Sequence, residues 1–259
     1  MSLLILGGTN DALRLADTLY KKGVSIIYSL AGLVRIPNVE YPVVAGGFSQ
    51  HGGLSQYISD NSITGIVDVT HPYANVISDT AADAAQEISI PYWQFDRPMW
   101  QAQEGDQWFD YADWNELTTM LDGKKSVLIT TGRLDQQTLS LLSTKLDAQL
   151  IIRTALYPDK NVVDEAYENI HWIKAIGPFT REDETALMEQ YNIDALVSKN
   201  SGGDATVAKL QAARELQVPV YLLQRPNNAN NKNTQHVFLN LEQCINSVLS
   251  YVEKAQATQ

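Results

Sequence analysis

Residues 3–12 read Leu-Leu-Ile-Leu-Gly-Gly-Thr-Asn-Asp-Ala, a short apolar run that breaks at two glycines and continues into polar sequence. Apolar residues then recur at helical spacing over residues 12–19, and two lysines and a glycine follow at 21–23. Cations and glycine are typical of the carboxyl end of a helix. The stretch therefore predicts a β-strand, a tight glycine turn and an α-helix, the unit from which parallel α/β sheets are built.

The same alternation of short apolar runs and helical segments continues along the chain. Runs that are apolar on both faces and alternate with helices indicate a parallel sheet covered on both sides. The pattern restarts after a tryptophan-rich stretch, which predicts two α/β domains, residues 1–100 and residues 101–259. The predicted strands are 3–6, 24–28, 41–45, 65–69, 91–95, 126–129, 149–152, 170–176, 195–198 and 218–223, and the main helices are 12–23, 75–87, 136–144, 181–191 and 205–216.

The composition excludes several classes of partner and site. The 259 residues include 19 Lys and Arg against 30 Asp and Glu, a net charge of −11 that argues against nucleic acid and anionic membranes. Cys244 is the only cysteine, so an internal disulfide and a cysteine-based zinc site are ruled out, and the four histidines show no ligand spacing, so no metal site is expected. Without a long apolar run or a charged leader, the chain is expected to be cytoplasmic and to have no membrane partner.

The glycine turn at residues 7–10 permits two interpretations. A phosphate placed there would meet unpaired backbone N–H groups and the positive end of the helix dipole. However, Thr9 and Ala12 stand where the GxGxxG pattern has its second and third glycines. The turn is therefore either a nucleotide site or a structural turn in which Thr9 or Asn10 caps the helix.

The end of the second predicted strand bears on the choice of cofactor. Residues 29–32, Ser-Leu-Ala-Gly, contain no carboxylate that could accept the ribose hydroxyls, and Arg35 follows shortly after. An NAD-selective site would place Asp or Glu there. The sequence therefore favours NADPH over NADH.

Further polar motifs stand at the carboxyl ends of predicted strands, where ligands bind in open α/β sheets. Residues 198–203, Ser-Lys-Asn-Ser-Gly-Gly, combine a lysine, hydroxyls and a glycine turn before a helix, which is typical of an anion-binding loop. Thr180 and Asp183 predict a capping box. The other motifs are Asp68-Val69-Thr70-His71-Pro72-Tyr73-Ala74, Asp96-Arg97-Pro98-Met99-Trp100, Thr130-Thr131-Gly132-Arg133 and Ile176-Gly177-Pro178-Phe179.

Taken together, these motifs resemble the precorrin-6A reductase and cobalt-precorrin-6A reductase family. The resemblance runs from Ile5-Leu6-Gly7-Gly8-Thr9 to Gln224-Arg225-Pro226, nearly the whole chain. It implies two Rossmann-like domains with mainly parallel sheets and a ligand cleft between them. It further implies NADPH, with NADH as the alternative, a polycarboxylate tetrapyrrole substrate, and reduction of precorrin-6A or its cobalt form to the 6B form by hydride transfer in cobalamin biosynthesis.

The resemblance also implies roles for individual residues. His71 and Tyr73 become the candidates for polarising the substrate, although bulk water or a protonated substrate would serve equally. Cofactor binding falls to Gly7, Gly8, Thr9, Asn10, Ser29, Ala31, Gly32, Gly46, Gly47 and Thr70. Substrate binding falls to Arg97, Thr131, Gly132, Arg133, Gly177, Lys199, Asn200 and Ser201.

The chain departs from the family pattern in the expected cofactor region. Leu33 stands where the family usually has arginine, and Ser49-Gln50 follow Gly46-Gly47-Phe48 where the family has two further glycines. Two alternatives therefore remain: a non-catalytic module that binds tetrapyrrole or nucleotide, and an NAD(P)H reductase of another substrate. A monomer or weak homo-oligomer is expected.

Overall fold

The structure is a computed structural model that describes residues 1–31, 36–156, 167–226 and 236–257. Its strands are β1 Ser2–Leu6, β2 Ser25–Leu30, β3 Val43–Ala45, β4 Ile63–Asp68, β5 Tyr92–Phe95, β6 Trp108–Tyr111, β7 Ser126–Ile129, β8 Gln149–Thr154, β9 Ile170–Lys174, β10 Ala195–Lys199, β11 Val220–Leu223 and β12 Val237–Phe238. Its helices are α1 Asn10–Lys21, α2 Leu54–Asp60, α3 Asn75–Ile88, α4 Trp114–Met120, α5 Gln136–Lys145, α6 Arg181–Gln190, α7 Ala208–Glu215 and α8 Leu241–Ala257.

The chain forms two compact units. Unit 1 comprises Met1–Pro98 and Pro226–Gln259, and unit 2 comprises Met99–Arg225. Each unit contains one six-stranded sheet, and all recorded strand pairs are parallel. The prediction of an α/β fold with two parallel, Rossmann-like sheets is confirmed.

The strand order reverses once in each sheet. Sheet 1 has the order β12-β5-β4-β1-β2-β3, so the chain builds outward from β1 to β3 and then returns to the other side of β1 at β4. Sheet 2 has the order β6-β11-β10-β7-β8-β9 and reverses in the same way between β7 and β10. The two loops that leave the strands at such a reversal diverge to opposite faces of the sheet, which opens a crevice at its carboxyl edge.

Helices cover both faces of each sheet, because alternate residues of the central strands are buried on opposite sides. In unit 1, Leu3 and Ile5 pack with α1 and α8, whereas Leu4 and Leu6 pack with α2 and α3. In unit 2, the central strand β7 alternates in the same manner between a cluster with α4 and α5 and a cluster with α6 and α7.

The predicted division of the chain at residue 100 is wrong for its last part. The tail was expected in the second domain, but β12 pairs with β5 at the edge of sheet 1. Helix α8 buries Cys244, Ile245 and Val248 in the core of unit 1. Proximity in the sequence does not predict the domain of this segment, because the strand that completes a sheet can come from any part of the sequence.

Three elements escaped the sequence analysis, and one helix boundary was confirmed in detail. Strand β6 and helices α2 and α4 are short, and the polar residues between the tryptophans obscured the pattern of β6. The capping box at the start of α6 is present, since the side chains of Thr180 and Asp183 each accept from the other's backbone N–H. No helix in the described ranges is long and apolar enough to span a membrane.

Helix α8 offers a test of this division. We expect Ile245→Ala to destabilise unit 1 by about 2–5 kcal/mol. Ile245 is only 3% exposed, so its truncation leaves a cavity in the core. The control Asn246→Ala, on the exposed face of the same helix, should change stability by less than about 0.5 kcal/mol. In the Ile245→Ala variant, hydrogen exchange measured by mass spectrometry should accelerate in peptides of residues 1–98 and not in those of residues 99–225. The reverse pattern would place the tail in unit 2.

Candidate functional site

The carboxyl edge of sheet 1 collects the residues predicted to bind the cofactor. The glycine turn follows β1, Ser29 and Ala31 stand at the end of β2, and Gly46-Gly47 follow β3. Thr70 and His71 follow β4, on the other side of the reversal. Parallel strands thus bring together motifs that lie more than sixty residues apart in the sequence.

Tyr28 shapes the glycine turn from the neighbouring strand. A Cβ atom at Gly7 would overlap with the ring of Tyr28, so no residue with a side chain fits there without rearrangement. The Gly7 N–H donates to the Ser29 carbonyl at 2.9 Å, and the Gly8 N–H donates to the Tyr28 hydroxyl at 3.0 Å. Burial raises the pKa of Tyr28, so its hydroxyl stays protonated. Gly8 has φ +102° with open space where a Cβ would stand, so a ligand can approach its backbone closely.

Thr9 caps helix α1 and ties the two central strands together. Its Oγ1 accepts from the Ala12 N–H at 3.1 Å and donates to the Val69 carbonyl at 2.8 Å. The capping interpretation of Thr9 is therefore confirmed, and the hydroxyl is occupied within the fold. The N–H groups of Asn10 and Asp11 in the first turn have no acceptor within the helix, and they are the donors that a phosphate can reach. The turn fits a dinucleotide through its backbone.

Arg97 lies beside this turn. Its Nε atom is 2.6 Å from Oδ2 of Asp11, and the two side chains are 13% and 20% exposed. Arg14 also approaches Asp11, at 3.9 Å, but it is 66% exposed. The resemblance assigned Arg97 to substrate carboxylates; in the structure it neutralises the one carboxylate in the first turn of α1. That carboxylate would otherwise repel a phosphate at the helix N-terminus.

The end of β4 is ordered by a buried carboxylate. Asp68 is 1% exposed; its Oδ1 accepts from the Thr70 N–H at 3.0 Å and its Oδ2 accepts from the Tyr92 hydroxyl at 2.8 Å. Burial and the charge of Asp68 raise the pKa of Tyr92, so the tyrosine remains a donor. Thr70 Oγ1 lies 3.3 Å from Ser78 Oγ at the start of α3.

His71 and Tyr73 lie next to each other after this strand. The His71 Nδ1 atom accepts from the Tyr73 N–H at 3.4 Å, and the two ring centroids are 5.7 Å apart. With Nδ1 as acceptor, the neutral imidazole carries its proton on Nε2. Both side chains are half-buried, so His71 can present an N–H donor and Tyr73 an O–H donor at this edge.

The remaining cofactor candidates differ in exposure. Ser29 is buried and Ala31 is exposed, while Gly46 has φ +107° and donates its N–H to the Leu30 carbonyl at 2.9 Å. Gly47 is exposed. Gly32, a predicted cofactor residue, and Arg35 lie outside the described residues.

The carboxyl edge of sheet 2 repeats the arrangement of unit 1. Thr130, at the end of β7, donates its N–H and its Oγ1 to the Val197 carbonyl of β10 at 2.9 and 3.1 Å. Thr131 is buried, Gly132 has φ +92° and Arg133 is exposed. On the other side of the reversal, Lys199 ends β10 half-buried, and burial lowers its pKa. The predicted substrate motifs therefore meet at this edge of unit 2.

Three predicted substrate residues have structural partners at this edge. The Asn200 amide pairs with the backbone of Trp100, accepting from its N–H at 2.8 Å and donating to its carbonyl at 3.1 Å. Ser201 is buried, with its Oγ 3.4 Å from Thr206 Oγ1. Gly177 follows the edge strand β9, where a Cβ would stand 3.3 Å from the Phe179 ring.

Two further arginines near strand ends are paired within the fold. Arg153 is buried and makes a bidentate ion pair with Glu184, at 2.9 and 2.8 Å, while its guanidinium lies 4.1 Å from the centre of the Phe179 ring. Arg181 is exposed and pairs with Glu215 and Glu182. No group of three or more His, Cys, Asp or Glu side chains within the described residues is placed to hold a metal ion.

The sequence analysis missed two residues of these edges. The role of Tyr28 could not be predicted from the sequence, because a single aromatic residue in an apolar strand is typical of the core. Lys209 on α7 is 5% exposed, and its Nζ donates to Thr130 Oγ1 at 3.2 Å. A signal for Lys209 exists in the sequence, since it shares a helical face with the small residues Ala212 and Ala213, both of which are buried.

Comparison with known proteins identifies the family. A model of the family described as precorrin-6x reductase CbiJ/CobK matches residues 2–248. The chain belongs to this family. It is 39% identical over 227 residues to the precorrin-6A reductase of Rhodococcus erythropolis, covering 86% of this chain and 89% of that protein. It is 30% identical to the cobalt-precorrin-6A reductase of Priestia megaterium, covering 86% and 90%.

A solved structure agrees with the family assignment. The structure titled CobK precorrin-6A reductase matches with a TM-score of 0.84 and 29% identity, covering 96% of each chain. Membership of a reductase family makes the chain an oxidoreductase and implies a nicotinamide cofactor. The glycine turn of unit 1 offers backbone N–H donors of the kind that such a cofactor's phosphates require.

The close packing of Tyr28 against Gly7 predicts that replacing Gly7 by alanine costs more stability than the same change at Gly47, at the same edge of the sheet. Gly7→Ala should destabilise unit 1 by about 1–3 kcal/mol, because its methyl group overlaps with a buried ring. Gly47→Ala is the matched control: its φ is −80° and the nearest atom to a Cβ, Ser49 Oγ, is 3.5 Å away. Urea unfolding of both variants measures the difference, and equal stability would contradict the packing described for Tyr28.

Proposed function

We propose that this chain catalyses the NADPH-dependent reduction of precorrin-6A, or of its cobalt form, to the corresponding 6B form in corrin biosynthesis. The observation that supports the proposal best is the glycine turn at the reversal of sheet 1 in a chain that matches precorrin-6A reductases over 86% of its length. The match supports the reaction, and the backbone N–H groups of the turn support a dinucleotide site there.

The cofactor is assigned to the carboxyl edge of unit 1. The first-turn N–H groups of α1 would hold its phosphates, and the pairing of Arg97 with Asp11 keeps the local field favourable to anions. The end of β2 offers Ser29 and no carboxylate within residues 29–31, which supports NADPH over NADH. When bound, the nicotinamide supplies a hydride, and the protein supplies alignment and electrostatics.

His71 and Tyr73 would act on the substrate as donors. A conjugated acceptor becomes more electrophilic when it is hydrogen-bonded or protonated, and the His71 Nε2 proton follows from the contact of Nδ1 with the Tyr73 N–H. Thr70 would hold the loop in place through Asp68 and Ser78. The substrate carboxylates are assigned to the carboxyl edge of unit 2, around Thr131, Gly132, Arg133 and Lys199.

Turnover tests the proposal directly. Purified protein mixed with NADPH and precorrin-6A should oxidise NADPH, shift the visible spectrum of the macrocycle and yield a product heavier by two hydrogens. NADH in place of NADPH should react more slowly. Absence of reaction with both nucleotides would refute the proposal, and tetrapyrrole binding without nucleotide binding in calorimetry would favour a binding module.

Arg97 offers a separate test of the cofactor site. We expect Arg97→Gln to raise the Kd for NADPH about ten-fold, since it leaves the Asp11 carboxylate uncompensated beside the phosphates. Arg14→Gln is the matched control, because Arg14 also approaches Asp11 but is exposed, and it should change the Kd less than about two-fold. Fluorescence titration with NADPH gives both constants.

A double variant separates the two roles proposed for Arg97. Combining Asp11→Asn with Arg97→Gln should restore most of the affinity for NADPH, because the uncompensated charge is gone. An unchanged Kd for NADPH in Arg97→Gln, together with a raised KM for precorrin-6A, would instead assign Arg97 to the substrate, as the resemblance implied.

A further inference from the structure

Lys209 places a charge-bearing group inside unit 2 at its carboxyl edge. Its side chain starts on helix α7 and is 5% exposed, yet its ammonium reaches Thr130 Oγ1, at the end of β7, at 3.2 Å. Lysine is almost never buried to this extent unless its charge is paired. Within the described residues, however, this hydroxyl is the only hydrogen-bond partner of the ammonium, and no carboxylate forms an ion pair with it.

Three charged groups act on Lys209 from the elements packed around it. Arg153 on β8 and Lys199 on β10 are cations, and Glu184 on α6 is the only carboxylate among them. Both Glu184 oxygens are already used by Arg153, at 2.8 and 2.9 Å. The ion pair between Arg153 and Glu184 is therefore complete without Lys209, which acts with Glu184 only at longer range.

A neighbouring hydroxyl supports the same conclusion. Thr131, the residue after Thr130, is 5% exposed, and within the described residues its Oγ1 has no hydrogen-bond partner. Buried polar groups without partners cost free energy and are rare in native proteins. The hydroxyl that the buried ammonium of Lys209 contacts and the buried hydroxyl without a partner thus belong to consecutive residues, Thr130 and Thr131, at one strand end.

We propose that Lys209 is a binding residue for one carboxylate of the ligand, acting together with Lys199 and the hydroxyl of Thr131 at the carboxyl edge of unit 2. The proposal rests on the proposed function only for the identity of the ligand as a carboxylated tetrapyrrole. It assigns Lys209 a role that its position on a helix, outside every strand-end motif, does not suggest.

The proposal has a pH dependence whose sign follows from the surroundings of Lys209. Burial, first of all, and the charges of Arg153 and Lys199 lower the pKa of Lys209 to about 7, against the opposite effect of Glu184. A bound carboxylate favours the charged ammonium and raises this pKa, so binding takes up a proton. Affinity should therefore be highest below pH 7 and should fall as the pH rises above it.

A stable probe makes binding measurable without turnover. Uroporphyrin, a tetrapyrrole that carries carboxylates, can be titrated by absorbance between pH 6 and pH 9 into the full chain loaded with NADP⁺. For the wild type we expect the Kd to rise by up to about ten-fold per pH unit above pH 7. Calorimetry in two buffers of different ionisation enthalpy should show proton uptake at pH 7.5, which tests the proposal without any variant.

Lys209→Met keeps the length of the side chain and removes its charge. We expect its Kd at pH 6.5 to be at least about ten-fold weaker than that of the wild type and to be almost constant between pH 7 and pH 8. Its unfolding midpoint at pH 6.5 should not fall, because an apolar group replaces a buried charge. Lys145→Met, the same change on an exposed residue of α5, should retain the wild-type affinity and pH profile.

The outcomes separate this proposal from the reductase activity. Failure of the wild type to bind uroporphyrin, binding without proton uptake, or a Lys209→Met variant with the wild-type pH profile would each overturn the role of Lys209. If precorrin-6A is still reduced in those cases, the proposed reductase function is retained and only the role of Lys209 is refuted. If NADPH is not oxidised but uroporphyrin binding depends on Lys209, the carboxylate site stands and the reductase proposal fails.

Discussion

The reversal of strand order at β1 and β4 is the constraint on which the site of unit 1 depends. The loops after β1 and β4 leave the sheet in opposite directions, and two hydrogen bonds link them at their start. Thr9 Oγ1 donates to the Val69 carbonyl, and the Val69 N–H donates to the Leu6 carbonyl at 3.0 Å. Unit 2 has an equivalent contact, in which Thr130 donates to the carbonyl of Val197. In both units a threonine hydroxyl thus links the ends of the two strands that flank the reversal.

Charge at these two edges is set by local pairs and not by the net charge of the chain. A net charge of −11 would discourage an anionic ligand only if it acted at long range, but salt screens exposed charges beyond about 8 Å. At the edge of unit 1 the pair of Arg97 and Asp11 cancels an unfavourable carboxylate. At the edge of unit 2, Arg153 and Glu184 neutralise each other, and Arg133, Lys199 and Lys209 are further basic residues there.

The sequence predicted the repeating α/β pattern and the edge at which the motifs meet, because apolar periodicity and the direction of parallel strands are local consequences of the chain. It could not predict which partner each side chain takes. Asn200 and Arg97 have the residue types of ligand-binding groups, yet their contacts with Trp100 and Asp11 depend on packing between distant segments. Lys209 was missed because a lysine on a helix is normally solvated; its shared face with Ala212 and Ala213 indicates burial, but its contact with Thr130 depends on tertiary packing.

The origin of the sixth strand distinguishes the two units. In unit 2 it is β6, which precedes the other strands, so the whole sheet comes from the continuous segment Met99–Arg225. In unit 1 it is β12, which the chain supplies only after unit 2, followed by α8. Helix α8 packs in the same apolar cluster as Ala12 and Leu15 of α1. The same cluster contains Val67 and Val69, at and just after the end of β4. The helix that follows the glycine turn and strand β4 therefore share their apolar core with the last segment of the chain, so the packing beneath this edge of sheet 1 depends on residues that follow unit 2 in the sequence.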